Sequence, residues 1–182
     1  DGFSKSHCMT GWRIGHLITN PELAVEMARM QEFVVSHAPS SAQVAAITAL
    51  RDGESFIADN NQRYQRLRDY VANRLRAIPR SVVANCEGAF YTFFRLPGSD
   101  DSEQFCRDLL DDTGVILAPG KAFGEGGEGW LRLCFASDEE RLQSALDRIE
   151  RFCFPGPFPV DIRHNAKIDR SSLAHRAAGI LS

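Results

Sequence analysis

The sequence predicts an α/β chain, and three observations carry that expectation. From Glu54 to Ile78 the residues Phe56, Tyr64, Leu67, Val71, Leu75 and Ile78 recur at the spacing of one helix face. After Pro79 the period changes: Val82 to Ala84 and Ala89 to Leu96 are rich in β-branched and aromatic residues, as strands require. Trp130 to Phe135 then alternates, the pattern of a strand with one covered face. A length of 182 residues suffices for one domain with a core, or for a domain with appendages. With 43% hydrophobic and 25% charged residues the composition is that of an ordinary globular protein. A net charge of −3 gives no general attraction to nucleic acid or an anionic membrane. No apolar run approaches the length of a membrane span, and no secretory signal is present.

The chain opens on a stretch with chemical content. Lys5 stands between Ser4 and Ser6, and Arg13 follows between Gly11 and Gly15, among apolar and small residues. Serine hydroxyls and a planar arginine fork together hold a phosphate, and an amine beside such a site is placed to attack a carbonyl bound there. Ile14 to Ile18 reads as a short apolar strand. Asn20 then caps a helix from Pro21 to about Ser36, with proline in its first turn and acidic Glu22 and Glu26 at its positive end. Leu23, Met27, Met30 and Val34 form its expected buried face. Pro39 interrupts the pattern, and Ser40 or Ser41 caps a second helix through Ala45, Ala46, Ile47 and Leu50.

The long helix from Glu54 carries Arg63, Arg66, Arg68, Arg74 and Arg76, but Asp59, Asp69 and two asparagines are interleaved, which makes this a solvated face rather than a nucleic-acid stripe. Asp100, Asp101 or Ser102 caps a helix through Phe105, Leu109 and Leu110, and Gly114 stops it. Val115 to Leu117 is a short strand. Gly124 to Gly129 formally matches GxGxxG, yet a strand follows it where a dinucleotide site needs a helix, so the glycines read as a flexible loop. By alternation, Arg132 faces solvent with Leu131 and Leu133 inward. Ser137 and Glu140 fit a capping box for a last helix with Leu142, Leu146, Ile149 and Phe152 inward. Pro155 to Pro159 is a stiff linker, followed by a basic tail with a weakly amphipathic stretch from Leu173 to Leu181. The five cysteines are odd in number, widely spaced and free of CxxC pairs, so they read as reduced thiols, Cys8 as a small buried filler.

Phe3-Ser4-Lys5-Ser6-His7-Cys8-Met9-Thr10-Gly11-Trp12-Arg13-Ile14-Gly15 resembles the lysine signature of the pyridoxal-phosphate-dependent aminotransferases of class I/II, the aspartate aminotransferase superfamily of fold type I. Glu87-Gly88-Ala89-Phe90-Tyr91 and the segment APGxxFGxxGEGxLRLxFA, from Ala118 to Ala136, are similar to the small domain of the same family. The resemblance covers about residues 1–154. It implies an α/β architecture in four parts: residues 1–53 as the C-terminal piece of the cofactor-binding large domain, 54–80 as a connecting helix, 81–154 as a small α+β domain, and 155–182 as a linker and tail without an assigned role.

The resemblance also implies roles. Lys5 is the Schiff-base lysine, Ser4 and Arg13 bind the phosphate of pyridoxal 5'-phosphate, and Arg132 clamps the substrate α-carboxylate. The expected reaction is transfer of an amino group from an amino acid to a 2-oxo acid, in a cytoplasmic homodimer that takes neither nucleic acid nor membrane as partner. Asp1 is not a methionine and lies just before the key lysine, so the chain reads as the C-terminal portion of a longer protein, inactive alone. Two alternatives stay open: another reaction on the same scaffold, such as a C–S lyase or a decarboxylase, and a non-catalytic dimerisation or binding fragment.

Overall fold

The computed structural model describes residues 2–154, 160–161 and 167–168, and the chain divides into two compact units, residues 1–63 and 64–182. The first unit holds α1 (Phe3–Ser6), a 3₁₀ turn at Thr10–Trp12, α2 (Pro21–Val35), α3 (Ser40–Asp52) and the start of α4 (Glu54–Arg76). Asn20 caps α2 as its sequence predicts, its Oδ1 accepting from the Leu23 N–H at 2.8 Å. The serine cap expected for α3 does not form. Pro39 occupies the cap position without a side-chain bond, and Gln43 Nε2 instead donates to the Ala38 carbonyl at 2.7 Å.

Two other expectations in this unit are overturned. Ile14 to Ile18 is not a strand: Gly15 makes a single antiparallel bridge to Gly2, and no ladder extends it. Nor is the apolar face of α2 buried, for Leu23, Met27, Met30 and Val34 are 47, 42, 63 and 76% exposed. Amphipathic periodicity says which face of a helix is apolar, and it does not say whether anything covers that face.

The second unit is a two-layer arrangement of helix on sheet. Its antiparallel sheet has the order β1-β2-β4-β3, with β1 at Val82–Val83, β2 at Tyr91–Arg95, β3 at Ala118–Pro119 and β4 at Leu131–Cys134. Register pairs Phe93 with Arg132 and Thr92 with Leu133. Side chains alternate across a strand, so this register sorts the sheet into two faces. Thr92, Phe94, Leu131 and Leu133 are buried on one, while Tyr91, Phe93 and Arg132 are half-buried on the other. The buried face packs with Leu67, Val71 and Leu75 of α4, Phe105 and Leu109 of α5 (Ser102–Thr113), and Leu142, Leu146 and Ile149 of α6 (Glu139–Cys153). Burying each such side chain contributes about 1.5–3 kcal/mol, so this layer dominates the unit's stability.

Local signals fix the ends of these elements. Helix α4 stops at Arg76, two residues before the sequence suggests, and the Leu75 carbonyl accepts from the Ile78 N–H at 3.1 Å and from Ser81 Oγ at 2.8 Å. Arg74 Nη2 reaches Asp147 Oδ1 at 2.6 Å and ties α4 to α6. Asp101 caps α5, accepting from the Gln104 N–H at 2.9 Å, and Gly114, at φ 70°, ends it. The strand expected at Val115 to Leu117 begins later, at Ala118: Val115 and Leu117 are buried and Ile116 is exposed, but the ladder lies beyond them. The capping box at Ser137 is not used either, since α6 starts at Glu139 with Asp138 in the cap position. Burial raises the Cys106 thiol to about 11 and the Cys153 thiol to about 12, so both pack as neutral side chains. Cys8, expected as a buried filler, is exposed.

Two 3₁₀ turns, Gly120–Phe123 and Glu125–Gly127, build the glycine-rich stretch, which makes it a folded connection rather than a flexible loop. Strand β4 follows it, so no helix N-terminus is present to receive a pyrophosphate. Beyond Cys153, β5 (Val160–Asp161) pairs antiparallel with β6 (Lys167–Ile168). The linker at Pro155 to Pro159 and the amphipathic stretch from Leu173 fall outside the described residues.

Candidate active site

The opening stretch folds back on itself. Phe3 and Met9 are 3 and 8% exposed and pack with Ala46 of α3, where small side chains allow close approach. A Cβ on Gly53, at the end of the same helix, would stand 3.0 Å from the His7 ring and 2.3 Å from the Ala49 carbonyl oxygen, so glycine leaves the room for this contact. The Phe3 carbonyl accepts from the N–H groups of both His7 and Met9 at 3.2 Å, and the Gly2 to Gly15 bridge closes the ends. Lys5 and Ser4 are thereby carried on α1 above an apolar anchor, with Lys5 exposed and Ser4 half-buried.

Thr10 joins the two halves of the motif. Its hydroxyl donates to the Ser4 carbonyl at 2.8 Å, and its own carbonyl accepts from Arg13 Nη1 at 3.1 Å. Arg13 has φ 52° and Cys8 φ 54°, left-handed conformations that cost a non-glycine residue roughly 1–2 kcal/mol each. Strain of this kind persists only where packing over-determines it, and it concentrates at functional sites. Beside Arg13 lies a recess of about 600 Å³ lined by Gln31, Val35, His37, Pro39 and Gln43, within the size range of small-molecule sites. An amine, a hydroxyl and a guanidinium on one closed loop are the donor set that an aldehyde-bearing phosphate ester requires, so the residues fit that group.

Arg132 belongs to the other unit, where it is neither buried against an anion nor simply solvated. Its Cζ stands 4.3 Å from the Tyr91 ring centroid and 4.3 Å from that of Phe123. Phe93, directly across the ladder, meets Phe123 edge-on at 5.5 Å. Aromatic faces hold a guanidinium plane while leaving its in-plane donors for a carboxylate. Alternation alone places Arg132 on the open face correctly but says nothing of these rings. Tyr91 is findable from sequence, because β2 and β4 pair and both residues share a face; Phe123 comes from the 120–127 turns and has no periodic signal.

Thr10 and Glu128 stand inside the two motifs, yet the motifs assign neither a role. The Glu128 carboxyl is held far below its ordinary value of 4.5, at about 2, first by the Ser102 N–H, then by the Ser102 hydroxyl and the Gly129 N–H, all of which favour its charged form. Among the described residues no cluster of three or more His, Cys, Asp or Glu side chains is arranged to hold a metal ion, and no helix is long and apolar enough to cross a membrane.

Comparison with known proteins shows the family of the chain. The family model for aminotransferases of class I and II matches residues 1–149. The chain is 41% identical over 152 residues to an aspartate aminotransferase of Thermotoga maritima, covering 84% of this chain and 38% of that protein. It is 36% identical over 149 residues to an LL-diaminopimelate aminotransferase of Oleidesulfovibrio alaskensis, with 82 and 38% covered. Among solved structures, the Thermotoga maritima aspartate aminotransferase matches at a TM-score of 0.72 and 41% identity, over 83% of this chain and 38% of that one. An aromatic aminotransferase of Pyrococcus horikoshii matches at a TM-score of 0.76 and 33% identity, over 82 and 41%. The chain thus spans about two-fifths of the length of the relatives it matches.

Proposed function

Because the chain belongs to the class I and II aminotransferases, we propose that the protein containing it uses pyridoxal 5'-phosphate to move an amino group from an amino acid to a 2-oxo acid. The observation that carries this reading is the closed loop from Gly2 to Gly15, in which Thr10 links Ser4, the neighbour of Lys5, to Arg13, and Arg13 is held in a strained conformation. Within such a protein, residues 1–53 belong to the cofactor-binding domain, 54–80 to a connecting helix and 81–154 to a small domain. The assembly is a cytoplasmic homodimer, and the exposed apolar face of α2 is of the kind that an assembly covers.

The cofactor, when bound, supplies an electron sink for charge developing at the substrate Cα. Residues of this chain would supply part of the rest. Lys5 Nζ is the amine that would bind the cofactor at its aldehyde carbon, and as a free amine it would move the proton at substrate Cα as general acid and base. The Ser4 hydroxyl donates to the phosphate, and Arg13 offers it a planar pair of N–H donors. Arg132 would receive the substrate α-carboxylate with its in-plane donors.

The test is product analysis on the protein that contains this chain, supplied with cofactor, an amino donor and a 2-oxo acid. One 2-oxo acid should form for each amino acid consumed, without ammonia. Lys5→Ala should abolish the exchange, and Arg132→Lys should raise KM more than it lowers kcat, because a point charge replaces a fork. Ammonia released in step with the oxo acid would assign an elimination instead.

A further inference from the structure

We infer that Glu128 is a positioning residue for the Arg132 anion site, acting through the turn that presents Phe123. The inference rests on the reading of Arg132 as the carboxylate-binding arginine. Phe123 is the last residue of the Gly120–Phe123 turn, so the place of its ring depends on how that turn is held. The turn folds tightly against the entry to β4: the Gly120 N–H donates to the Trp130 carbonyl at 2.7 Å. A Cβ on Gly120 would lie 2.1 Å from the Gly127 carbonyl oxygen and 2.5 Å from that of Trp130, distances no side chain tolerates.

Glu128 is the knot of this region. Its Oε1 accepts from the Ser102 N–H at 2.9 Å, at the start of α5, and from the Gly129 N–H at 3.0 Å, two residues before β4. Its backbone carbonyl accepts from Arg95 Nη2 at 3.2 Å, and its Oε2 lies 4.0 Å from Lys121 Nζ, on the turn itself. Ser102 returns to the same turn, its Oγ accepting from the Lys121 N–H at 3.4 Å. One carboxylate therefore joins helix, strand and turn, and two residues beyond Lys121 stands the ring that covers Arg132. Losing the carboxylate frees the turn, lets Phe123 leave the guanidinium, and returns to Arg132 the side-chain freedom that carboxylate binding must then remove.

Two readouts on the 182-residue chain separate this role from a merely structural one. The Nε–H resonance of Arg132, assigned by its loss in Arg132→Lys, carries the ring-current shift of Tyr91 and Phe123. Succinate, titrated while that resonance is followed, reports carboxylate binding. Glu128→Ala should move the resonance toward its random-coil position and weaken succinate about tenfold, as loss of fixed geometry does. Phe123→Leu should do the same with Glu128 intact, which covers the case in which Glu128→Ala fails to fold. Glu128→Gln keeps an acceptor for both N–H groups and should restore most of the shift. If Glu128→Ala folds and lowers only the melting temperature, leaving the resonance and the succinate affinity as they were, or if Phe123→Leu leaves them unchanged, the inference is overturned. If wild-type chain shows the shift but no succinate response, the carboxylate reading of Arg132 fails, and the shift in Glu128→Ala still decides whether Glu128 holds the clamp.

Discussion

A carboxylate with a depressed pKa stabilises the folded state only while it is ionised there, which gives Glu128 a definite acid dependence. Its contribution is complete above its ordinary value of 4.5 and is lost as the pH falls through about 2. Urea unfolding of wild type and Glu128→Gln should therefore differ at neutral pH and converge as the pH falls from 4.5 toward 2; a constant difference across that range would deny the charge its role. The family resemblance singles out Ser4, Lys5, Arg13 and Arg132 because they stand in its motifs. It could not show Thr10 as the link between Ser4 and Arg13, or Phe123 against Arg132, because both depend on how a turn closes in space.

Helices and strands were readable where a local rule decides them. Asn20 and Asp101 cap α2 and α5 because a short side chain before an amphipathic run has one favourable partner, the N–H three residues on. Asp101→Ala should cost about 1 kcal/mol, measured by chemical denaturation. Ile14 to Ile18 misled because apolar content makes a strand possible, while a ladder partner makes it real, and only Gly15 finds one. The 120–127 turns are the element on which Arg132 depends, and their constraint is steric. Gly120→Ala should destabilise the second unit by about 1–3 kcal/mol, with tryptophan fluorescence reporting the shift of Trp130; an unchanged melting curve would contradict the close approach.

Across the molecule the two units differ in how their apolar residues are used. The second unit sets three helices on one face of a sheet, and Leu75, Leu109, Leu131, Leu146 and Ile149 are at most 1% exposed. In the first, α2 has no buried residue at all. Amide hydrogen exchange on the chain should show β4 and α6 protected orders of magnitude beyond α2, since opening free energy follows buried contacts. Composition and periodicity predicted both patterns of apolar residues, but burial is a property of neighbours, and α2 has none to cover its face among the described residues. The proposed function has Lys5, rather than any other lysine, meet the cofactor.

The most direct test of that claim is covalent capture. The chain is mixed with pyridoxal 5'-phosphate, reduced with borohydride, digested and mapped by mass spectrometry, with Arg13→Ala alongside. Selective labelling of Lys5 that weakens in Arg13→Ala is the expected result, because the guanidinium draws the phosphate to the loop that carries the amine. Labelling spread evenly over Lys5, Lys121 and Lys167, indifferent to Arg13, would contradict it.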